Sequence, residues 1–179
     1  VWWAFAQIYK KGHIYKGFKC MPYCPRCATP ISNFEVNEGY KDDVSDPSVY
    51  VKFKLKDENA FLLAWTTTPW TLPANLALCV NRDANYVVIH VRKLNKILLM
   101  AENSVRKVFP YYSFQSLDYN ILDMISGKTL VGLEYEPLYV FNETGDHTYR
   151  ILADDFVQCW PYEKDKSPGS GVVHLAPGF

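Results

Sequence analysis

The 179-residue sequence lacks a long apolar run, an excess of either charge, and a basic leader followed by an apolar segment. No stretch approaches the roughly 20 apolar residues of a membrane-spanning helix, and nothing at the start is typical of a signal peptide. The 19 basic and 19 acidic side chains cancel, so the composition does not indicate a general binder of polyanions. We therefore expect a cytoplasmic protein with no membrane and no DNA partner.

Cysteine is scarce, with five residues, and two of them form the motif Cys24-x-x-Cys27. So few cysteines without a secretory leader indicate a reducing compartment and argue against a disulfide framework. A close pair of thiolates can supply half of a tetrahedral zinc site, but a structural zinc takes four ligands and no second Cys-x-x-Cys is present. From the residues alone, a metal half-site and a pair of free thiols are both open.

Common catalytic signatures are also missing, since the sequence has no Gly-x-Ser-x-Gly, no His-Glu-x-x-His and no phosphate-binding loop. What the sequence does have is 49% hydrophobic and 16% aromatic residues, which is typical of a folded globular protein. Its length predicts one ordinary domain, or one domain with a small appendage.

The spacing of apolar residues predicts a mainly β chain with short helices, an α+β fold class. Helices are predicted at 1–9 and at 101–108. Strands are predicted at 49–55, 61–66, 76–80, 86–91, 96–100, 129–133, 138–141, 150–153 and 171–174. A series of short strands usually closes into a barrel or packs as a sandwich. The first helix starts abruptly and without an initiator methionine, so we expect a piece of a longer chain.

The stretch from Trp65 to Asn75 concentrates polar side chains, with four threonines, two tryptophans, two prolines and one asparagine in eleven residues. It follows a run, 61–64, that reads as a buried strand. Because the prolines remove backbone donors and fix φ, the loop should be stiff and should present side chains. This pattern suits recognition of a polar ligand.

The candidate residues in this stretch each have more than one possible role. Side chains alternate across an extended segment, so Thr66 and Thr68 should begin facing away from Thr67, although the turn that follows can bring Thr68 back. Trp70 could wall a pocket or lie in the core, and Asn75 could bind a ligand or cap a turn.

A histidine near the other end of the sequence is the second candidate. His174 stands at the end of the apolar strand 171–173 and just before Leu175-Ala176-Pro177, so it leaves the sheet where a pocket would lie. Taken alone, a hydrogen-bonded structural histidine is the competing interpretation.

Both stretches resemble the signature motifs of the editing domain of isoleucyl-tRNA synthetases. They read WTTTPWTLPAN at 65–75 and GSGVVHLAPGF at 169–179. Further matches lie at 22–27 with 32–35, and at 40–42 with 46–49. The valyl and leucyl editing domains carry Arg-Pro-Glu-Thr where this chain has Thr68-Pro69-Trp70-Thr71, which favours the isoleucyl branch.

The resemblance implies a closed or partly open β-barrel editing domain with an extended stem. Residues 1–44 would be an N-terminal helix and the Cys-x-x-Cys stem leading from the parent's catalytic domain. Residues 45–179 would be the barrel, truncated at its C-terminal end. The family has an acidic residue shortly beyond Phe179, thought to hold the substrate's α-ammonium group, so the isolated fragment is expected to be weakly active.

The same resemblance implies the residues of the site. The catalytic set would be Thr67, Thr68 and His174. The substrate-binding set would be Thr66, Trp70, Thr71, Asn75 and Ala176. Cys24 and Cys27 would be half of a zinc site that a second pair beyond this chain completes.

The implied activity is post-transfer editing, in which a positioned water hydrolyses valine from the 3′ end of mischarged tRNA(Ile). Editing would need no cofactor; zinc would be structural in the full-length parent, and ATP would serve only the parent's catalytic domain. The protein would be monomeric. Two alternatives stay open: a non-catalytic tRNA-end-binding or zinc-stem interaction module, and a zinc-dependent hydrolase using Cys24, Cys27 and His174.

Overall fold

The structure is a computed structural model that describes residues 1–38, 41, 44–109, 119–141, 144–159 and 169–177. The chain divides into two compact units, Val1–Ser45 and Asp46–Phe179. Parts of the matched motifs, at 40, 42, 178 and 179, lie outside the described residues. Every helix among the described residues is too short or too polar to cross a lipid bilayer.

The first unit holds two helices and a small hairpin. Its elements are α1 (Trp2–Lys10), β1 (Tyr23–Cys24), β2 (Thr29–Pro30) and α2 (Asn33–Asn37). The sequence analysis missed α2, although its start carries a clear signal. Ser32 Oγ accepts from the Glu35 amide at 3.3 Å, and Glu35 Oε2 accepts from the Ser32 amide at 2.9 Å. This reciprocal cap satisfies backbone donors at the helix start and is written in the sequence as Ser-x-x-Glu.

The second unit is built from strands with short helical connections. In chain order the strands are β3 (Val49–Lys54), β4 (Ala60–Thr66), β5 (Ala77–Val80), β6 (Asn85–Val91), β7 (Lys96–Ala101), β8 (Tyr119–Ser126), β9 (Arg150–Ala153) and β10 (Val172–Leu175). The helical segments are 3₁₀ helices at Pro69–Ala74 and Glu102–Ser104, α3 (Val105–Val108) and α4 (Gly127–Leu130).

These strands form a five-stranded sheet in the order β3-β4-β7-β6-β8 and a three-stranded sheet in the order β10-β5-β9. The mainly β prediction with short helices is confirmed. The resemblance implied a closed or partly open barrel, and the ladders of the described strands form open sheets, so the closed form is not observed among them. The segment at Glu134 and Tyr135 links the two sheets through isolated bridges, Leu55 with Tyr135 and Glu134 with Arg150.

In the second unit, two strand predictions are wrong and one strand was missed; the two short strands of the first unit were not predicted either. Residues 129–133 form the end of α4 and a turn, because Ser126 caps a helix by accepting from the Lys128 amide and Gly132 then turns the chain at φ +87°. Residues 138–141 have no regular structure. The missed strand, β8, lies at a sheet edge with Ile121 and Met124 exposed, so it lacks the buried alternation that identifies a strand.

The core lies on both faces of β4. Leu62, fully buried, packs on one face with Phe53 and Ile151, while Leu63 packs on the other face with Met100. A strand buried on both faces reads as a continuous apolar run, which is why 61–64 was identified correctly. Burial of one such leucine contributes about 1.5–3 kcal/mol, so β4 is a firm base for the threonine turn that follows it.

The start of β10 requires glycine at position 171. Gly171 has φ +75°, a left-handed conformation, and an added Cβ would overlap the Ala101 Cβ and lie 3.0 Å from Cys159 Sγ. The backbone of the strand that carries His174 therefore approaches the end of β7 as closely as glycine allows.

We expect Gly171→Ala to lower the free energy of unfolding by at least about 2 kcal/mol, since it adds both left-handed strain and overlap. The control is Gly132→Ala, where φ is +87° but nothing lies within 4 Å of the added Cβ, and where about 1 kcal/mol is expected. Urea denaturation measures both losses. Equal losses would contradict the close approach at Gly171.

Candidate functional site

A tight turn of threonines begins where β4 ends. Thr66 is buried, with 7% of its surface exposed. Its Oγ1 accepts from the Thr68 amide at 3.0 Å and lies 3.3 Å from Thr68 Oγ1. Thr67 and Thr68 are both exposed, so the turn does bring Thr68 out to the solvent side. Thr66, in contrast, is buried, and its hydroxyl stabilises the turn by accepting from the Thr68 amide.

The 3₁₀ helix Pro69–Ala74 presents the next polar side chains. Its first residue is proline, which is favoured there because the missing N–H would have no partner. Thr71 donates its hydroxyl proton to the Thr68 carbonyl at 2.7 Å, and its Oγ1 lies 3.4 Å from Thr68 Oγ1. Trp70 is 72% exposed, so it does not lie in the core.

The two distant motifs meet in one hydrogen bond. β5 follows the 3₁₀ helix, and β10 pairs antiparallel with it, with His174 opposite Leu78. This pairing brings His174 Nε2 to 3.0 Å from Thr71 Oγ1, across 103 residues of sequence. The pairing of the threonine stretch with His174 was predicted; that the contact runs through Thr71 was not.

The hydrogen bonds assign the proton on His174. Because the Thr71 proton goes to the Thr68 carbonyl, Thr71 Oγ1 must accept, and His174 Nε2 must donate. Nδ1 is buried and has no hydrogen-bond partner among the described atoms. Desolvation lowers the pKa of His174 from its ordinary value of 6.5, and an added proton at Nδ1 would find no acceptor there. Both features favour the neutral imidazole with its proton on Nε2.

Asn75 ends the 3₁₀ helix and is buried, with 6% of its surface exposed. Its Nδ2 donates to the Ala77 carbonyl at 2.9 Å and to the Leu175 carbonyl at 3.4 Å. Its Oδ1 accepts from the Tyr135 hydroxyl at 2.6 Å. The amide is thus used inside the protein, and substrate binding by Asn75 stays a prediction. Ala176, half-buried, follows at the end of β10.

The cysteine pair lies at the small hairpin of the first unit. Cys27 donates its amide to Cys24 Sγ at 3.4 Å, and this backbone bond is the main cause that lowers the pKa of the Cys24 thiol. A sulfur that accepts amide protons suits a thiolate ligand. No group of three or more metal-ligating side chains forms within the described part of the chain. The half-site fits two thiolate ligands of a zinc ion, and zinc binding stays a prediction.

A cavity of about 270 Å³ lies apart from the predicted site residues. Its lining includes the ion-paired Lys56 and Glu134, and the rings of Tyr135 and Tyr149. Sequence reasoning missed Tyr135, since its partner Asn75 is 60 residues away and no spacing rule connects the two.

The fold is similar to two crystal structures of editing domains from leucyl enzymes. GlLeuRS-CP1 matches with a TM-score of 0.55 and 16% identity, covering 72% of this chain and 54% of that one. The P. knowlesi cytosolic leucyl-tRNA synthetase editing domain matches with a TM-score of 0.51 and 18% identity, covering 71% and 55%. At these identities the likeness concerns the fold alone, and it is the fold of a synthetase editing domain.

The family model of class I tRNA synthetases (I, L, M and V) matches residues 1–164. The chain therefore belongs to the class I tRNA synthetases of this group. This confirms the family that the two motifs indicated.

Within that family the chain is similar to isoleucine–tRNA ligases. The cytoplasmic ligase of Mus musculus is 46% identical over 184 residues, covering 100% of this chain and 14% of the ligase. The cytoplasmic ligase of Saccharomyces cerevisiae is 42% identical, covering 99% of this chain and 16% of the ligase. The isoleucine–tRNA ligase of Clostridium kluyveri is 41% identical, covering 99% and 16%. The chain thus spans 14% to 16% of the length of these relatives.

We expect NMR titration to place the pKa of His174 below 6.5, with the His174→Gln variant assigning the resonance. Because the folded-state pKa is lowered, the unfolded state takes up the proton first. Stability that is present above about pH 6.5 is then lost as the pH falls through the folded-state pKa. The His174→Gln variant should lack the loss of unfolding free energy that protonation of His174 causes at acid pH. A His174 pKa at or above the ordinary value would contradict the assignment.

Proposed function

We propose that this chain is the post-transfer editing domain of an isoleucyl-tRNA synthetase and that it hydrolyses the ester of valine on tRNA(Ile). The observation that carries the proposal is the 3.0 Å contact between Thr71 and His174, with the hydroxyl of the exposed residue Thr68 3.4 Å from Thr71 Oγ1. The two family motifs meet there at the end of a buried strand. The identities to isoleucine–tRNA ligases support the isoleucyl assignment.

The need for such a site follows from the size of the two amino acids. A pocket built for isoleucine rejects valine only by the contribution of one methylene, for which isoleucyl-tRNA synthetase is the standard worked example. A second site must then admit valine and exclude isoleucine. The exposed indole of Trp70 and the proline-containing 3₁₀ helix are rigid groups that can form the wall of such a site.

The chemistry requires little from the protein. An aminoacyl ester is already activated, so a positioned water and polarisation of the carbonyl are sufficient. Thr67 and Thr68 are exposed residues whose hydroxyls would donate to the ester carbonyl or hold the water. His174 donates at Nε2 to Thr71, and Thr71 lies against Thr68. In this arrangement the histidine orders the hydroxyls and does not need to carry charge.

The partners follow from the same assignment. The substrate is the 3′ end of tRNA(Ile) carrying valine, and most contacts to the rest of the tRNA would be made by other parts of a longer protein, because this chain has no net charge. ATP-dependent ligation would belong to those other parts. The names of the mouse and yeast relatives support a cytoplasmic location.

We expect the double variant Thr67→Ala, Thr68→Ala to lower the deacylation rate by at least about 100-fold, because donors at the reacting carbonyl and water are lost. Both side chains are exposed, so the free energy of unfolding should change by less than about 1 kcal/mol. The measurement is release of valine from valine-charged tRNA(Ile) by the full-length protein.

The matched control is Ile151→Val, which removes one methylene from a fully buried side chain. It should cost about 0.5–1.5 kcal/mol of stability and leave the rate unchanged. Binding of charged tRNA without release of valine would favour the non-catalytic module. A deacylation rate that survives loss of both hydroxyls would remove their catalytic role.

A further inference from the structure

A buried tyrosine outside both motifs contacts the frame of the site. Tyr135 is 2% exposed and lies on the segment that bridges to Leu55. Its hydroxyl donates to Asn75 Oδ1 at 2.6 Å. Burial raises the pKa of Tyr135, so the hydroxyl stays protonated and remains a donor throughout the usual assay range.

The amide that receives this bond ties together the two halves of the site. Asn75 caps the end of the 3₁₀ helix that carries Thr71. Its Nδ2 donates to the carbonyl of Leu175, the residue that follows His174. The same carbonyl also accepts from the Leu76 amide at 3.0 Å. The end of β10 is therefore held against the end of the 3₁₀ helix by one side-chain amide and one backbone amide.

The Tyr135 hydroxyl fixes the orientation of that amide. The Asn75 NH₂ group donates to the carbonyls of Ala77 and Leu175, and Oδ1, on the other side of the amide, accepts from the Tyr135 hydroxyl. Without the hydroxyl, a buried carbonyl oxygen would be left unpaired, and the amide would gain by moving. Any such movement loosens the hold on Leu175 and thereby on His174.

The ring of Tyr135 does not depend on its hydroxyl for its place. It packs edge to face against Phe53, with ring centroids 5.4 Å apart, and against Tyr149, with centroids 6.0 Å apart. Tyr135→Phe should therefore keep the packing and remove one hydrogen bond. This makes the hydroxyl testable apart from the fold.

We infer that Tyr135 is a positioning residue of the deacylase site, acting through Asn75 on the strand end that carries His174. The inference rests on the proposed deacylase function. Tyr135 touches neither the threonine hydroxyls nor the histidine among the described contacts, so its effect is on their placement.

The test is single-turnover deacylation of valine-charged tRNA(Ile) by the full-length protein and its Tyr135→Phe variant. The rate constant at saturating enzyme should fall about tenfold, the scale of one positioning hydrogen bond, with a smaller change in apparent affinity. Asn75→Ala should also slow the reaction. The double variant should be no slower than Asn75→Ala alone, because the hydroxyl acts through that amide.

The control is Ile151→Val, which removes one methylene from a fully buried side chain and no hydrogen bond. It should lower the melting temperature while leaving the rate near that of the unmodified protein.

Two results would overturn the inference while the proposed function stands: equal rates for Tyr135→Phe and Ile151→Val, or losses for Tyr135→Phe and Asn75→Ala that simply multiply in the double variant. An unmodified full-length protein that releases no valine would overturn the proposed function itself, and it would show before any variant is compared.

Discussion

The hydrogen bond between His174 Nε2 and Thr71 Oγ1 is the interaction on which the account depends. It joins a 3₁₀ helix to the end of a strand, and each side is held by separate bonds. Thr71 is fixed by the Thr68 carbonyl, while the backbone after His174 is fixed by Leu76 and Asn75. Because both partners are held by bonds within the protein, the Thr71 hydroxyl and the neighbouring Thr68 hydroxyl are preorganised, which is the condition for stabilising a reacting carbonyl.

The environment of His174 also limits its chemistry. Desolvation lowers its pKa, and Nδ1 has no partner among the described atoms. A neutral histidine that donates at one nitrogen suits an ordering role in the hydroxyl chain better than that of a charged acid. In the proposed function, the groups that would hold the water and the carbonyl lie in the threonine turn, and His174 is a donor to Thr71 behind them. An activated ester needs no stronger catalyst.

The meeting of the threonine stretch with His174 and most of the strands could be predicted from the sequence. The strand that ends at Thr66 was identified because it is buried on both faces. His174 was identified because its apolar strand ends in a motif. β8 was missed because its apolar side chains are exposed at an edge. Of the closed and partly open forms that the resemblance implied, the described strands form open sheets. Local periodicity could not decide between the two forms, because it does not encode pairing between distant strands. The bond between Tyr135 and Asn75 could not be found for the same reason.

The most direct measurement is a crystal structure of the full-length protein with a non-hydrolysable valyl-adenosine analogue. The account predicts the ester mimic against Thr67 and Thr68, with the contact between Thr71 and His174 intact and Trp70 beside the valyl group or the adenine. An analogue bound elsewhere, with the threonine turn still exposed to solvent, would contradict the claim that this turn and His174 form the editing site.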